Sequence, residues 1–315
     1  MHTSEVRKRQ MRDVNPDSAG APMNSPKDGA RTVTYTETLE WQRDNIHIRR
    51  GYRPAKADYR EVLISLTFLH NETCNVYSHL LGAVLLPLLA AAFLRILSAP
   101  RFVGVSRMDY LMFGTFFCCA EVCLIFSTLY HLLGSHSHGV EQFWLRMDLL
   151  GIIIAVVGTF VPGIRYAFIC DTGVQKLHWA IIISSGFATA VMICVPKFRR
   201  WRTARTCAYL ALGASSFIPI LHGVQLYGVE YMMRYSGLKW YLLEMVPYGL
   251  GVTLYAFRVP ERFVPGYFDF WGASHQIFHV SILFGMFIHV VGLNEAFTAC
   301  HTVDLCKIQA AHRAN

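Results

Sequence analysis

Charge is scarce in this chain: 16% of its 315 residues are Asp, Glu, Lys or Arg, against 53% hydrophobic, and the mean hydropathy is +0.33. That excludes the pair of ordinary soluble domains that the length would otherwise suggest. Acidic residues are the minority, 21 against 29 basic, giving a formal net charge of +8. The basic residues gather at the amino end and in one loop, so they do not argue for a nucleic-acid partner. They argue for topology, because cytoplasmic segments of membrane proteins carry excess Lys and Arg. Cysteines number nine, an odd set, and Cys118, Cys119, Cys123 and Cys194 lie inside apolar runs as small buried hydrophobes. No disulfide framework follows from them. Cys170, Cys300 and Cys306 fall outside those runs and are free to pair. No apolar run precedes residue 80, so no amino-terminal signal peptide is expected and the first membrane helix must do the targeting.

What is present is a series of seven apolar runs, at Leu80–Leu97, Leu111–Leu133, Trp144–Ile164, Leu177–Val195, Cys207–Tyr227, Trp240–Phe257 and Ile277–Leu293. Each is long enough to cross a bilayer with its flanks. Pro87, Pro219 and Pro247 fall inside runs, which membrane helices tolerate because neighbours re-satisfy the freed carbonyls. The expected fold is all-α: a multi-pass seven-helix bundle at residues 80–295, with its termini on opposite sides. Residues 1–37 hold almost no aromatics and read as a disordered tail. Residues 38–79 interleave Leu39, Trp41, Ile46, Ile48 and Tyr52 with Arg43, Arg49, Arg50 and Arg53, which fits an interfacial amphipathic helix or a solvated linker. Residues 296–315 form a second tail.

Orientation follows from counting. With the amino end cytoplasmic, that side carries 20 of the 29 basic residues, twelve of them before the first span and five between Lys197 and Arg205. The carboxyl end is then extracytoplasmic.

In that orientation five polar side chains from three spans share one depth near the cytoplasmic face: Ser127 and His131, Asp148, and His275 with His279. The pairs Ser127/His131 and His275/His279 are each i and i+4, one turn apart on one helix face. Three imidazoles resemble a catalytic zinc site, since three protein ligands leave a fourth tetrahedral position open for water. Zinc lowers the pKa of water toward about 7, Asp148 is placed to take its proton, and Ser127 to hold it. Packing histidines and bis-histidine haem between helices are the competing accounts, and visible absorbance separates the latter. Glu121 lies about 15 Å along its helix from His131 and on another face. Glu244, His222 and His289 fall in the outer halves of their spans, as packing or cavity-lining groups. His79 is close in depth to the constellation, and His136 and His138 fall in a loop expected to be solvated.

Several motifs join these residues. They are His70-Asn71-Glu72 with Asn75-Val76-Tyr77-Ser78-His79, Ser127-x-x-x-His131, Asp148 with Gly151, and Phe160-Val161-Pro162. Towards the carboxyl end come Pro260-Glu261-Arg262 with Pro265-Gly266, Asp269, and Ser274-His275-Gln276-x-x-His279. In these the chain resembles the progestin and adipoQ receptor family, also called adiponectin-receptor or haemolysin III-like, and is most similar to fungal members implicated in zinc and sterol homeostasis. The resemblance implies seven helices with the amino end inside, and Zn2+ held by His131, His275 and His279 with Ser127 and Asp148 around the water. It further implies hydrolysis of a ceramide-like lipid, as linked to animal adiponectin receptors. A plasma-membrane or endoplasmic-reticulum setting follows, with an extracellular ligand or cytoplasmic signalling partner to be expected. The chain departs from the pattern at Leu149, at Ser135-His136-Ser137 and at Glu121. A seven-helix receptor with structural zinc is the alternative to a hydrolase, and a channel or transporter would need a continuous polar path through Glu121, Glu244, His222 and His289.

Overall fold

The computed structural model describes residues 30–195, 198, 202–215 and 217–314. Most of the amino-terminal tail and the basic positions Lys197, Arg199 and Arg200 lie outside the described residues. Among the described residues ten α-helices follow in order: α1 Tyr59–Ile64, α2 Thr73–Leu97, α3 Arg107–Leu133, α4 His138–Ala167, α5 Thr172–Cys194, α6 Arg202–Ser215, α7 Phe217–Tyr235, α8 Leu238–Phe257, α9 Ser274–Thr302 and α10 Leu305–Ala314.

Six stretches among the described residues are long and apolar enough to span a membrane: α2, α3, α4, α5, the α6–α7 stretch from Cys207 to Tyr235, and α9. The twenty-residue α8, which packs along α9, is the further long apolar helix of the bundle. The helices overrun the apolar runs by several residues at most ends. Hydropathy stops at the first polar side chain, whereas the backbone ladder continues until something caps it. Ser106 and Asp109 make a reciprocal capping pair at the start of α3, and Asp171 accepts from the Val174 N–H at the start of α5.

Close approach between spans depends on small residues. A Cβ at Gly158 of α4 would stand 2.2 Å from Cys119 Cβ of α3, and one at Gly151 would stand 3.1 Å from Cys123 Cα. This contact, one turn beyond Asp148, brings α4 against the face of α3 that carries Ser127. Aromatic side chains fill the half of the bundle away from Ser127, where Phe113, Phe116, Tyr166 and Phe297 are almost wholly buried between α3, α4 and α9.

Two expectations are corrected. Between Thr38 and Asp58 there is no α-helix: a single 3-10 turn at Glu40–Gln42 and an antiparallel bridge between Val33 and Tyr52 make a strap, and α1 begins only at Tyr59. The reason is that its apolar residues, Val33, Ile48 and Tyr52, pack on Ala273 rather than facing one side of a helix. His136 is also not simply solvated, since its ring stacks on Tyr59 at 4.0 Å. Of the three cysteines outside the apolar runs, Cys170 and Cys306 are joined by a disulfide that ties the α4–α5 turn to α10, and Cys300 is free.

Candidate metal centre

The start of α9 is built by the loop before it. Glu261 is fully buried and its carboxylate accepts from the Ser274 N–H at 2.8 Å, from the Ser274 hydroxyl, and from the Asn45 amide at 3.1 Å. An anion at a helix N-terminus meets both the unpaired N–H groups and the positive end of the dipole. Asp269, also buried, accepts from the Arg49 N–H and the Arg50 side chain. The loop thus locks onto the strap, and His275 is held one residue beyond the Glu261 contact.

At the far end of α3 the device is inverted. Arg53 of the strap is 5% exposed and donates to the carbonyls of His131 at 2.5 Å and Leu132 at 2.8 Å, and to the Ser65 hydroxyl. Burial lowers its pKa to about 10, against the opposing pull of Glu72, so it stays charged. A lone buried charge would cost several kcal/mol; here the carbonyl end of α3 offsets it.

Between these two anchored ends, His131, His275 and His279 converge, with one ligating nitrogen from each within 4.8 Å of the others. The Nε2 atoms of His131 and His275 are 3.2 Å apart. Two nitrogens on one tetrahedral ion at about 2.0–2.1 Å stand about 3.3 Å apart, so the spacing fits a metal. The tautomers fit as well. His131 Nδ1 lies 2.7 Å from Glu72 Oε2, and His279 Nδ1 lies 3.2 Å from the Asn75 carbonyl and 3.2 Å from the Ser78 hydroxyl. A carboxylate and a carbonyl can only accept, so each Nδ1 carries the proton and each Nε2 offers its lone pair. Burial opposes ionisation of Glu72, but His131 and the Asn75 amide outweigh it and hold the carboxyl well below its usual range.

Ser127 and Asp148 line the same cavity as the three histidines. The cavity measures about 1020 Å³ and runs from the strap residues Trp41–Asn45 past the histidines to Phe168 and Leu238. His79 stacks face to face on His279 at 3.8 Å, with both its nitrogens buried and unpartnered, so it packs against one of the three clustered imidazoles from the side. Glu121 does not line the cavity. His222 pairs with His178 at 2.9 Å beside Phe168, and Glu244 pairs with His289 at 2.9 Å. Glu72, Asn75 and Arg53 carry supporting roles that spacing alone did not reveal. Glu72 and Asn75 were visible only as members of a motif, 59 and more residues from the histidine they serve.

Comparison with known proteins gives the following. The family profile described as Haemolysin-III related matches residues 67–290. The chain is 32% identical to the ADIPOR-like receptor IZH2 of Saccharomyces cerevisiae, over 96% of this chain and 97% of that protein. It is 34% identical to the Adiponectin receptor protein of Drosophila melanogaster over 83% of this chain, which spans only 58% of the fly protein. It is 32% identical to Heptahelical transmembrane protein 1 of Arabidopsis thaliana, over 82% of this chain and 78% of the plant protein.

Proposed function

The chain belongs to the haemolysin-III related family, that of the adiponectin and progestin–adipoQ receptors, and from that premise we propose that it is a zinc-dependent intramembrane amide hydrolase acting on ceramide-like lipids. It is a multi-pass integral membrane protein, so an amphipathic lipid reaches its cavity from the surrounding bilayer. The observation that carries the proposal is that Ser127 and Asp148 line one apolar-walled cavity together with three clustered imidazoles. Three histidines, two of them with fixed tautomers, suffice to hold an ion; a structural site needs no acid next to it.

A zinc ion held by His131, His275 and His279 would supply Lewis acidity, lowering the pKa of water toward about 7 and polarising an amide carbonyl. Asp148 takes the proton from the attacking water, which the Ser127 hydroxyl positions. It returns that proton to the amide nitrogen as the C–N bond breaks, releasing a fatty acid and a sphingoid amine. The cavity beyond the histidines accepts the hydrocarbon chains and excludes bulk water, which strengthens the interactions of Asp148.

We further assign the amino end to the cytoplasm. The basic residues before α2 support this, and so does the Cys170–Cys306 disulfide, which belongs in an oxidising compartment and lies on the side opposite the amino end of a seven-span chain.

The test is metal content and ceramide turnover of the detergent-purified protein. Wild type should hold about one zinc per chain; His275→Ala should lose zinc and turnover together, and Asp148→Asn should keep zinc and lose turnover. The receptor naming of the relatives favours a second reading, a signalling receptor whose zinc is structural. It predicts zinc without turnover in wild type and no consequence of Asp148→Asn for the metal or for signalling.

A further inference from the structure

A second polar group lies deeper in the cavity, and the hydrolytic chemistry does not use it. Tyr241 and Glu244 stand at i and i+3 on α8, and His289 faces them from α9; all three line the cavity. Glu244 Oε2 is 2.9 Å from His289 Nδ1, and the two residues are 7% and 3% exposed. The imidazole is sandwiched between Phe116 at 5.1 Å and Tyr241 at 5.0 Å. The glycines of α9 make the seat: a Cβ at Gly292 would stand 2.9 Å from the Tyr241 ring. Gly163 of α4 leaves room on the other side, with the Tyr241 hydroxyl 3.7 Å from where its Cβ would be.

With that one bond made, His289 Nε2 and the Tyr241 hydroxyl remain buried with no partner. Buried polar atoms are normally satisfied, so two left without a partner in residues that line a cavity point to a ligand. Glu244 can only accept, so Nδ1 holds the proton and Nε2 presents a lone pair. A carboxylate ligand would meet the charge of Glu244. A hydroxyl can donate to Nε2 and can also bond to the phenol.

His289 lies ten residues beyond His279 on α9, about 15 Å along the axis. An extended hydrocarbon chain whose carbonyl sits at the histidine cluster covers that depth in roughly a dozen carbons. We propose that Tyr241, Glu244 and His289 form a hydroxyl-recognition subsite that selects acyl chains carrying a hydroxyl about twelve carbons from the carbonyl. The register rests on the hydrolase reading, because it counts from a carbonyl at His131, His275 and His279; the hydroxyl preference does not.

The test uses the full chain in detergent and four free acids, octadecanoic acid and its 2-, 12- and 18-hydroxy derivatives, displacing a fluorescent fatty acid. Turnover of the corresponding ceramides is assayed in parallel. The 12-hydroxy acid should bind about tenfold more tightly than the unsubstituted acid, and the ratio should fall toward one in Tyr241→Phe and His289→Gln. Tyr241→Phe removes one oxygen and keeps the ring stack, so it serves if His289→Gln fails to fold. Equal binding of hydroxylated and plain acids by wild type overturns the subsite, and so does a preference that survives both variants. A preference that peaks at another position but vanishes in the variants keeps the subsite and overturns the register. Binding preference without any ceramide turnover sinks the hydrolase reading alone.

Discussion

Glu72 Oε2 stands 2.7 Å from Nδ1 of His131, so a carboxylate from the cap of α2 fixes the ring that α3 contributes to the histidine cluster. Outer carboxylates of this kind typically matter by 10–100-fold in metal affinity. Glu72→Ala is therefore expected to weaken metal retention by about that factor, read by titration with a competing chelator, while Glu72→Gln, which still accepts the proton, loses less. Unchanged retention in Glu72→Ala would show that the ring is oriented by other contacts.

Glu261 is expected to act on the same cluster from the opposite side. Glu261→Ala strips the buried cap from Ser274, costing about 1–2 kcal/mol of stability and letting the first turn of α9, with His275, fray. Metal stoichiometry should fall below that of wild type at a temperature where the protein is still folded. A variant that lost thermal stability but kept full metal content would separate the cap from the cluster.

Gly285 reports on the α8–α9 contact. A Cβ there would stand 2.1 Å from the Tyr248 ring, whereas one at Gly114 on α3 meets nothing within 4 Å. Gly285→Ala should lower the thermal midpoint, consistent with an overpacking cost of about 1–3 kcal/mol. Gly114→Ala should leave it unchanged or raise it.

Acid sensitivity should have one traceable source outside the spans. His70 is almost fully buried, its Nδ1 accepts the Glu72 N–H, and burial, reinforced by Arg53, lowers its pKa to about 3. The unfolded chain takes up this proton near its ordinary value of about 6.5, and the folded protein does not. Stability from this residue is therefore intact above about pH 6.5 and drains away as pH falls toward 3. His70→Asn, which can still accept the Glu72 N–H, should lose less thermal stability between pH 7 and 4.5 than wild type; equal losses would place the sensitivity elsewhere.

The disulfide gives a readout of topology as well as stability. Cys170 and Cys306 are 136 residues apart, and removing the bond by Cys170→Ser should cost about 2–5 kcal/mol. In sealed vesicles with the cytoplasmic face outward, an impermeant thiol reagent should label Cys306 of that variant only after permeabilisation. Labelling of the intact vesicles would reverse the orientation.

The helices were legible because long apolar runs in a membrane leave the backbone no alternative but to bond within itself. The histidine cluster was legible because two i, i+4 pairs each fix a helix face, and two such faces meeting a lone Asp148 at one depth are rarely accidental. What lay beyond the sequence was anything joining residues through a loop. Arg53 against the end of α3, Glu261 against the start of α9 and Glu72 against His131 are side-chain-to-terminus contacts with no periodicity to betray them. The strap was misjudged for a related reason: Ile48 and Tyr52 pack on Ala273, more than 200 residues later, so their pattern follows a tertiary surface rather than a helix. Glu244 and His289 were noticed singly, but their pairing depends on the relative rotation of α8 and α9, which is set by where the glycines fall.

His131 and His275 are 144 residues apart. At about 5–20 residues per second of synthesis, roughly 7–30 s separate the appearance of the first ligand from that of the second. For that whole interval the nascent protein has a single histidine where three will be, and the strap, made earlier still, has no Ala273 or Asp269 to lie on. The cluster is thus completed only after α9 has begun. A molecule truncated before α9 cannot assemble it, so metal capture doubles as a record that α9 has been reached and placed.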